Sequence, residues 1–143
     1  MNSPSGHLAT KSPRSLVAMG IFLVFGAVMA TLAGTSLRWP RTYLDDIWIL
    51  NPPAHRELAP YGPVVGLLFL LLGATLAVAA AGWFKRRLWG WWLAVAIFSI
   101  QLLGDFVHVF LGHVGEGAIG VTLSSLLLFY LTRPQVRAAF DPK

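Results

Sequence analysis

Residues 15–37 contain no charged side chain, and neither do residues 58–84 or 88–104. Runs of this length leave few options. An α-helix rises 1.5 Å per residue, so about 20 apolar residues cross a hydrocarbon core of roughly 30 Å. Inside hydrocarbon every backbone N–H and C=O must be paired within the chain, which makes each run a helix. The third run continues through Asp105 to residue 111, and a fourth covers residues 117–132, stopping at Arg133-Pro134. The expected fold is all-α: an integral membrane four-helix bundle with spans at about 15–37, 62–84, 88–111 and 117–132. Short turns join the later spans, and one longer extracytoplasmic loop joins spans one and two. Pro63 fits the first turn of the second span, where its missing N–H does no harm. Residues 1–14, polar and small, are expected to form a flexible cytoplasmic tail. Residues 15–143 then form the transmembrane domain. The first apolar run exceeds the 7–15 residues of a signal-peptide core, so a retained span is expected over a cleaved one.

Composition supports the same class. Hydrophobic residues make up 56% of the chain and charged residues 12%, about half the usual charged share of a soluble domain. Too few polar side chains remain to cover a globule. The chain has no cysteine, which excludes disulfides, thiolate metal sites, iron–sulfur clusters and cysteine nucleophiles. The net charge of +5 does not call for nucleic acid, because topology accounts for it. With four spans, Lys11, Arg14, Lys85, Arg86, Arg87, Arg133, Arg137 and Lys143 share one side, against Arg38, Arg41 and Arg56 on the other. The positive-inside rule puts both termini in the cytoplasm. Trp39, Trp48, Trp83, Trp89, Trp91 and Trp92 all fall at or near span ends, where amphipathic rings settle at headgroup level.

The extramembrane pieces carry weaker patterns. In residues 41–50, α-helical spacing puts Tyr43, Leu44, Ile47 and Trp48 on one face and turns Asp45 and Asp46 away. This predicts a short helix on the outer membrane surface, starting near Pro40 and ended by Asn51-Pro52-Pro53. The alternative is a loop that dips its aromatic side chains. In the tail, Val136, Ala139 and Phe140 follow helical spacing. A helix on anionic headgroups and a frayed, solvated end are both open there. Each span also has small residues through which helices approach closely in lipid. They are Gly26, Ala30 and Gly34; Gly66, Gly73, Ala77 and Ala80; Gly90 and Ala94; and Gly120 and Ser124.

The chemistry concentrates in the third span. Gln101, Asp105, His108 and Gly112 follow i, i+4, i+7, i+11. At 100° per residue they fall within about 60° of one another, on the face of Gly90 and Ala94. That face is expected to point into the bundle. Asp105 would lie about 25 Å from Leu88, in the outer third of the hydrocarbon. His113 and Glu116 follow in the third loop, and the first loop can add Asp45, Asp46, His55 and Glu57. An ionisable group within a span is a functional candidate by default. Three uses stay open for Gln101, Asp105, His108, His113 and Glu116: locking the bundle by hydrogen bonds, contacting a ligand or ion, and binding a metal. Locking is the expectation, since buried polar groups are usually paired. His108 and His113 lack the four-residue spacing that puts two ligands on one helical face, and there is no H-E-x-x-H. Glu116 also suits the start of the fourth span, where the helix dipole favours a carboxylate. No G-x-S-x-G, phosphate-binding loop or dinucleotide fingerprint occurs, and no cofactor is expected.

The stretch GWFKRRLWGWW, the polar third span and the ending YLTRPQVRAAF resemble small four-span bacterial inner-membrane proteins without an assigned activity. The resemblance runs from about Pro60 to the end and implies a bacterial inner-membrane location. It implies no residue roles. The functional expectation is a non-enzymatic accessory or scaffold subunit of a membrane assembly, whose partners are the lipid bilayer and other membrane subunits or further copies of the chain. Two alternatives are an oligomeric transporter or solute-binding protein using Asp105, His108 and Gln101, and a membrane enzyme with an outward-facing Asp/His/Glu site.

Overall fold

The computed structural model describes residues 13–140, and the described residues form helices joined by short turns and loops, with no strand. The expected flexible tail falls almost wholly outside them, as do residues 141–143. Helices α1 (Pro13–Arg38), α3 (Gly62–Phe84) and α4 (Leu88–Phe110) are each long and apolar enough to cross a membrane. These three helices make the chain a small membrane protein. Helix α5 (Val114–Leu131) follows α4 directly. Its apolar part, Gly117–Leu131, is about 22 Å long at 1.5 Å per residue, shorter than the other three. Two short helices, α2 (Pro52–Leu58) and α6 (Pro134–Arg137), lie outside the long ones.

α1 and α3 form the longest interface. Residues 19, 23, 27, 30, 34 and 37 of α1 are buried, as are 62, 66, 73, 76, 80 and 83 of α3. On α3 the steps alternate between four and three once half-buried Phe69, between Gly66 and Gly73, is counted, whereas on α1 they run four, four, three, four, three. A 3.5-residue repeat is the signature of a left-handed seam. The seam is tight because glycines face backbone. A Cβ on Gly66 would lie 2.8 Å from the Gly34 carbonyl oxygen, and one on Gly34 would lie 2.8 Å from the Gly66 carbonyl oxygen. A Cβ on Gly73 would meet Thr31 Oγ1 at 2.5 Å. Of the expected small residues, Ala77 falls off the seam and is exposed.

α4 pairs extensively with α5 and less so with α3, whereas α1 and α5 share no extensive interface. The long helices are therefore two hairpins, α1–α3 and α4–α5, joined by the turn after Phe84. Both turns between consecutive long helices close the same way. Arg87 N–H donates to the Gly82 carbonyl (2.9 Å) and Arg86 N–H to that of Trp83 (3.0 Å). His113 N–H donates to the His108 carbonyl (3.1 Å) and Gly112 N–H to that of Val109 (3.2 Å). This is the Schellman pattern, which needs a left-handed residue. Gly112 supplies it at φ 96°, and Arg86 does so at φ 53° despite its side chain. At the first turn Gly82 and Gly90 pack backbone to backbone.

Two tryptophans depart from the expected interfacial placement. Trp83 (1% exposed) and Trp91 (4%) are core residues. Their indole N–H groups donate to the carbonyls of Leu16 (2.7 Å) and Leu131 (3.0 Å). A buried indole needs an acceptor for its N–H, and helix-end carbonyls supply one. Trp39, Trp89 and Trp92 remain exposed near helix ends.

Residues 134–140 neither fray nor project along a surface. α6 folds back over the Lys85–Arg87 end of the hairpins. Val136 is buried (3%), and Phe140 (2%) packs on Trp83 with ring centroids 4.6 Å apart. The guanidinium of Arg86 lies over Phe140, that of Arg137 over Trp91 and that of Arg133 over Phe129, at 5.8, 5.6 and 5.0 Å from the ring centroids. These are cation–π distances.

The loop after α1 also differs from expectation. Residues Tyr43–Leu50 form a 3-10 helix. Its three-residue turn changes which side chains share a face. Tyr43 (97% exposed) and Ile49 (75%) point out with Asp46, while Leu44, Asp45, Ile47 and Trp48 are half-buried. Tyr43 thus leaves the face assigned to it, and Asp45 joins that face. Asp45 Oδ2 accepts from the Arg41 N–H (2.8 Å), and Trp48 Nε1 donates to the buried Ser36 hydroxyl (2.8 Å). Asn51 does end this helix. It also caps α2, with its side chain accepting from Ala54 N–H (3.3 Å) and Pro52 following at the first helical position.

Candidate functional site

α4 supplies the candidate site, and the hairpin with α5 completes it. Gly117 and Gly120 let α5 approach closely. A Cβ on Gly117 would lie 2.9 Å from Val109 N and 3.0 Å from the Asp105 carbonyl oxygen. A Cβ on Gly120 would lie 2.5 Å from Asp105 Oδ1. The Asp105 carboxyl group thus rests on bare backbone, one turn from Ser124. Both of its oxygens accept a hydrogen bond. Gln101 Nε2 donates to Oδ1 (3.0 Å), and the buried Ser124 hydroxyl donates to Oδ2 (2.8 Å). The first bond runs along one helix and the second ties α4 to α5.

The predicted polar face divides in two. Asp105 is half-buried, whereas Gln101 and His108 are exposed. Helix geometry explains the division. Asp105 lies within about 20° of the buried Phe98, while His108 is turned about 60° from Asp105 toward the outside. The expected face was centred on the small residues Gly90 and Ala94, which are buried only near the turn after α3. Farther along α4 the buried side rotates toward α5. The expectation that all these polar groups point inward is therefore corrected for His108, while Gln101, though exposed, keeps its amide on Asp105.

His108 and His113 come together, with ring centroids 5.8 Å apart, because the Schellman turn brings the two residues side by side. Both are exposed. His113 occupies the position before α5, and Glu116 falls in that helix's first turn. The first-loop candidates stay apart from this pair. His55 stacks on Trp48 at 5.1 Å, and Asp45 is engaged with Arg41. Among the described residues no three His, Asp or Glu side chains are grouped to hold a metal ion.

A cavity of about 260 Å³ opens beside Asp105. Phe22, Leu23 and Gly26 of α1 line it together with Leu72 and Leu76 of α3. α4 contributes Ile97, Phe98, Gln101 and Asp105, and α5 contributes Gly120, Leu123, Ser124 and Leu127. Phe22 and Phe98 stack at its edge, 6.2 Å between centroids. The cavity is apolar except at the end held by Gln101, Asp105 and Ser124. Sequence reasoning assigned Ser124 to helix contact and did not connect it with Asp105. The available signal was the run Gly117, Gly120, Ser124, whose three- and four-residue steps put a small face opposite the carboxylate. The α1 and α3 walls left no such signal, because any apolar residue fits them.

No family model matches this sequence, and no curated protein or solved structure is significantly similar to it.

Proposed function

We propose that the chain is a non-enzymatic accessory or scaffold subunit of a bacterial inner-membrane assembly. In this reading it crosses the membrane four times, and both termini are cytoplasmic. The observation that carries the proposal is the uncovered edge of α4. Gln101, Gly104 and His108 lie along it and are exposed, and nothing comes within 4 Å of where a Gly104 Cβ would sit. Gln101 and Gly104 lie about 20 and 24 Å along the helix from Leu88, within the thickness of the hydrocarbon. A polar amide next to a glycine is a poor surface for lipid and a good one for another helix, which can approach closely and share hydrogen bonds. α4 is also the least buried of the three long apolar helices, at 11% of its most apolar stretch against 33% for α1. The edge therefore suits a partner subunit.

Gly104→Leu tests this, because a Cβ there has nothing within 4 Å in the isolated chain. Wild-type protein extracted from native membranes in mild detergent should co-purify with another membrane protein, and Gly104→Leu should reduce that recovery about tenfold with unchanged expression. Wild type recovered as a lone monomer overturns the proposal. Cross-linking through Gly104→Cys to a second copy would instead move the reading to the oligomeric transport alternative.

A further inference from the structure

We propose that the cavity beside Asp105 is a binding site for a membrane-dissolved amphiphile with a cationic amine head and an apolar tail of about eight to ten carbons. The head chemistry follows from the polar end. The Asp105 oxygens accept from two neutral donors, the Gln101 amide and the Ser124 hydroxyl. No described Lys, Arg or His pairs with Asp105. A carboxylate in hydrocarbon that receives only neutral hydrogen bonds is undercompensated, and a desolvated cation is its strongest complement. An ammonium head can add a charge-assisted bond on the cavity side while leaving the Ser124 tie in place.

The tail follows from the walls and the volume. Beyond the polar end the lining is Phe22, Gly26, Leu72, Leu76, Leu123 and Leu127. A space of about 260 Å³ corresponds to roughly nine water-sized volumes at about 30 Å³ each, enough for a chain of eight to ten carbons.

The route of entry identifies the ligand as lipid-borne. The cavity lies between the two hairpins, on the side where α1 and α5 share no extensive interface. Its rim residues Phe22, Leu72 and Leu123 are 41%, 37% and 52% exposed. Gly26 and Leu72 both sit about 18 Å along their helices from the end that carries the Lys85–Arg87 turn. The mouth therefore opens sideways at hydrocarbon depth. A larger hollow of about 530 Å³, on the other side of α1 and α3, has no ionisable residue in its lining and no comparable polar anchor.

The test uses the full chain in phosphatidylcholine nanodiscs and a ten-carbon primary amine carrying a terminal diazirine. The alcohol and the carboxylic acid of equal length serve as controls. On illumination the amine should label peptides containing Phe22, Leu123 or Leu127, and unlabelled decylamine should compete. Asp105→Asn keeps the shape and removes the charge, and should cut labelling about tenfold or more, the scale of one charged hydrogen bond. Gly26→Leu should abolish labelling by filling the space. A Cβ there meets only Leu76 Cδ1, at 3.5 Å, so the backbone leaves room for a side chain to start toward the cavity. If Asp105→Asn does not fold, Gly26→Leu and the two control probes decide the matter. Labelling that persists in Gly26→Leu, equal labelling by the alcohol, or no labelling of the wild type overturns the proposal. None of these outcomes depends on the α4 edge having a partner.

Discussion

Gly66 and Gly34 are where this chain is least forgiving, because a Cβ on either would sit 2.8 Å from the other's carbonyl oxygen. Backbone cannot swing aside as a side-chain tip does. Gly66→Val should therefore cost about 2–3 kcal/mol by forcing α1 and α3 apart, measured as a shift in reversible unfolding in mixed micelles. Gly26→Ala, whose Cβ would make one ordinary contact, should stay within about 0.5 kcal/mol in the same assay. A second residue-scale prediction concerns Trp91. Its indole is the donor that reaches the Leu131 carbonyl at 3.0 Å, so Trp91→Phe should destabilise by about 1–3 kcal/mol through the unpaired buried acceptor. The glycines were legible in the sequence as small-residue stripes. The indole bonds were not. Both tryptophans lie next to the Lys85–Arg87 turn, and proximity to a basic turn looks the same whether a ring faces headgroups or the core.

At the scale of elements, the long helices were legible because hydrocarbon imposes one rule on every residue within it. The short elements were not, because local contacts decide them. The segment Tyr43–Leu50 has an acceptable α-helical face, yet Asp45 turned back to the Arg41 N–H and the Trp48–Ser36 bond go with a three-residue turn. The α6 segment is the clearest case. Its helical spacing was visible, but its destination depends on Trp83, far away in sequence. Phe140→Ala should lower stability by about 3–5 kcal/mol and expose Trp83, red-shifting the tryptophan emission. An unchanged spectrum would count against the fold-back. At the candidate site, Asp105 was singled out by its charge, and its carboxyl group lies half-buried against α5. Gln101 and His108 were expected to share its orientation because a face drawn from sequence assumes one neighbour along the whole helix. α4 meets α3 closely near the Lys85–Arg87 turn but has α5 along its length, from Trp91 to Val109.

For the whole molecule, the absence of cysteine makes topology directly measurable. Single cysteines at Thr42, Lys85, Gly115 and Ala138, all exposed positions, need no background substitutions. An impermeant maleimide applied to intact cells should reach Thr42→Cys and Gly115→Cys, while Lys85→Cys and Ala138→Cys react only after permeabilisation. Labelling of Ala138→Cys together with Gly115→Cys would show that the short α5 does not cross. The two-hairpin construction has a further consequence. Near the Lys85–Arg87 turn the hairpins are fastened to each other by the Gly82–Gly90 contact and by Phe140 packed on Trp83. Past Phe98 no residue of α4 is fully buried. In the proposed four-span topology the pair is a compass with its pivot in one leaflet. Anything wedged between the legs should then widen the protein's footprint in the opposite leaflet alone, which would couple its occupancy to bilayer curvature and lateral pressure.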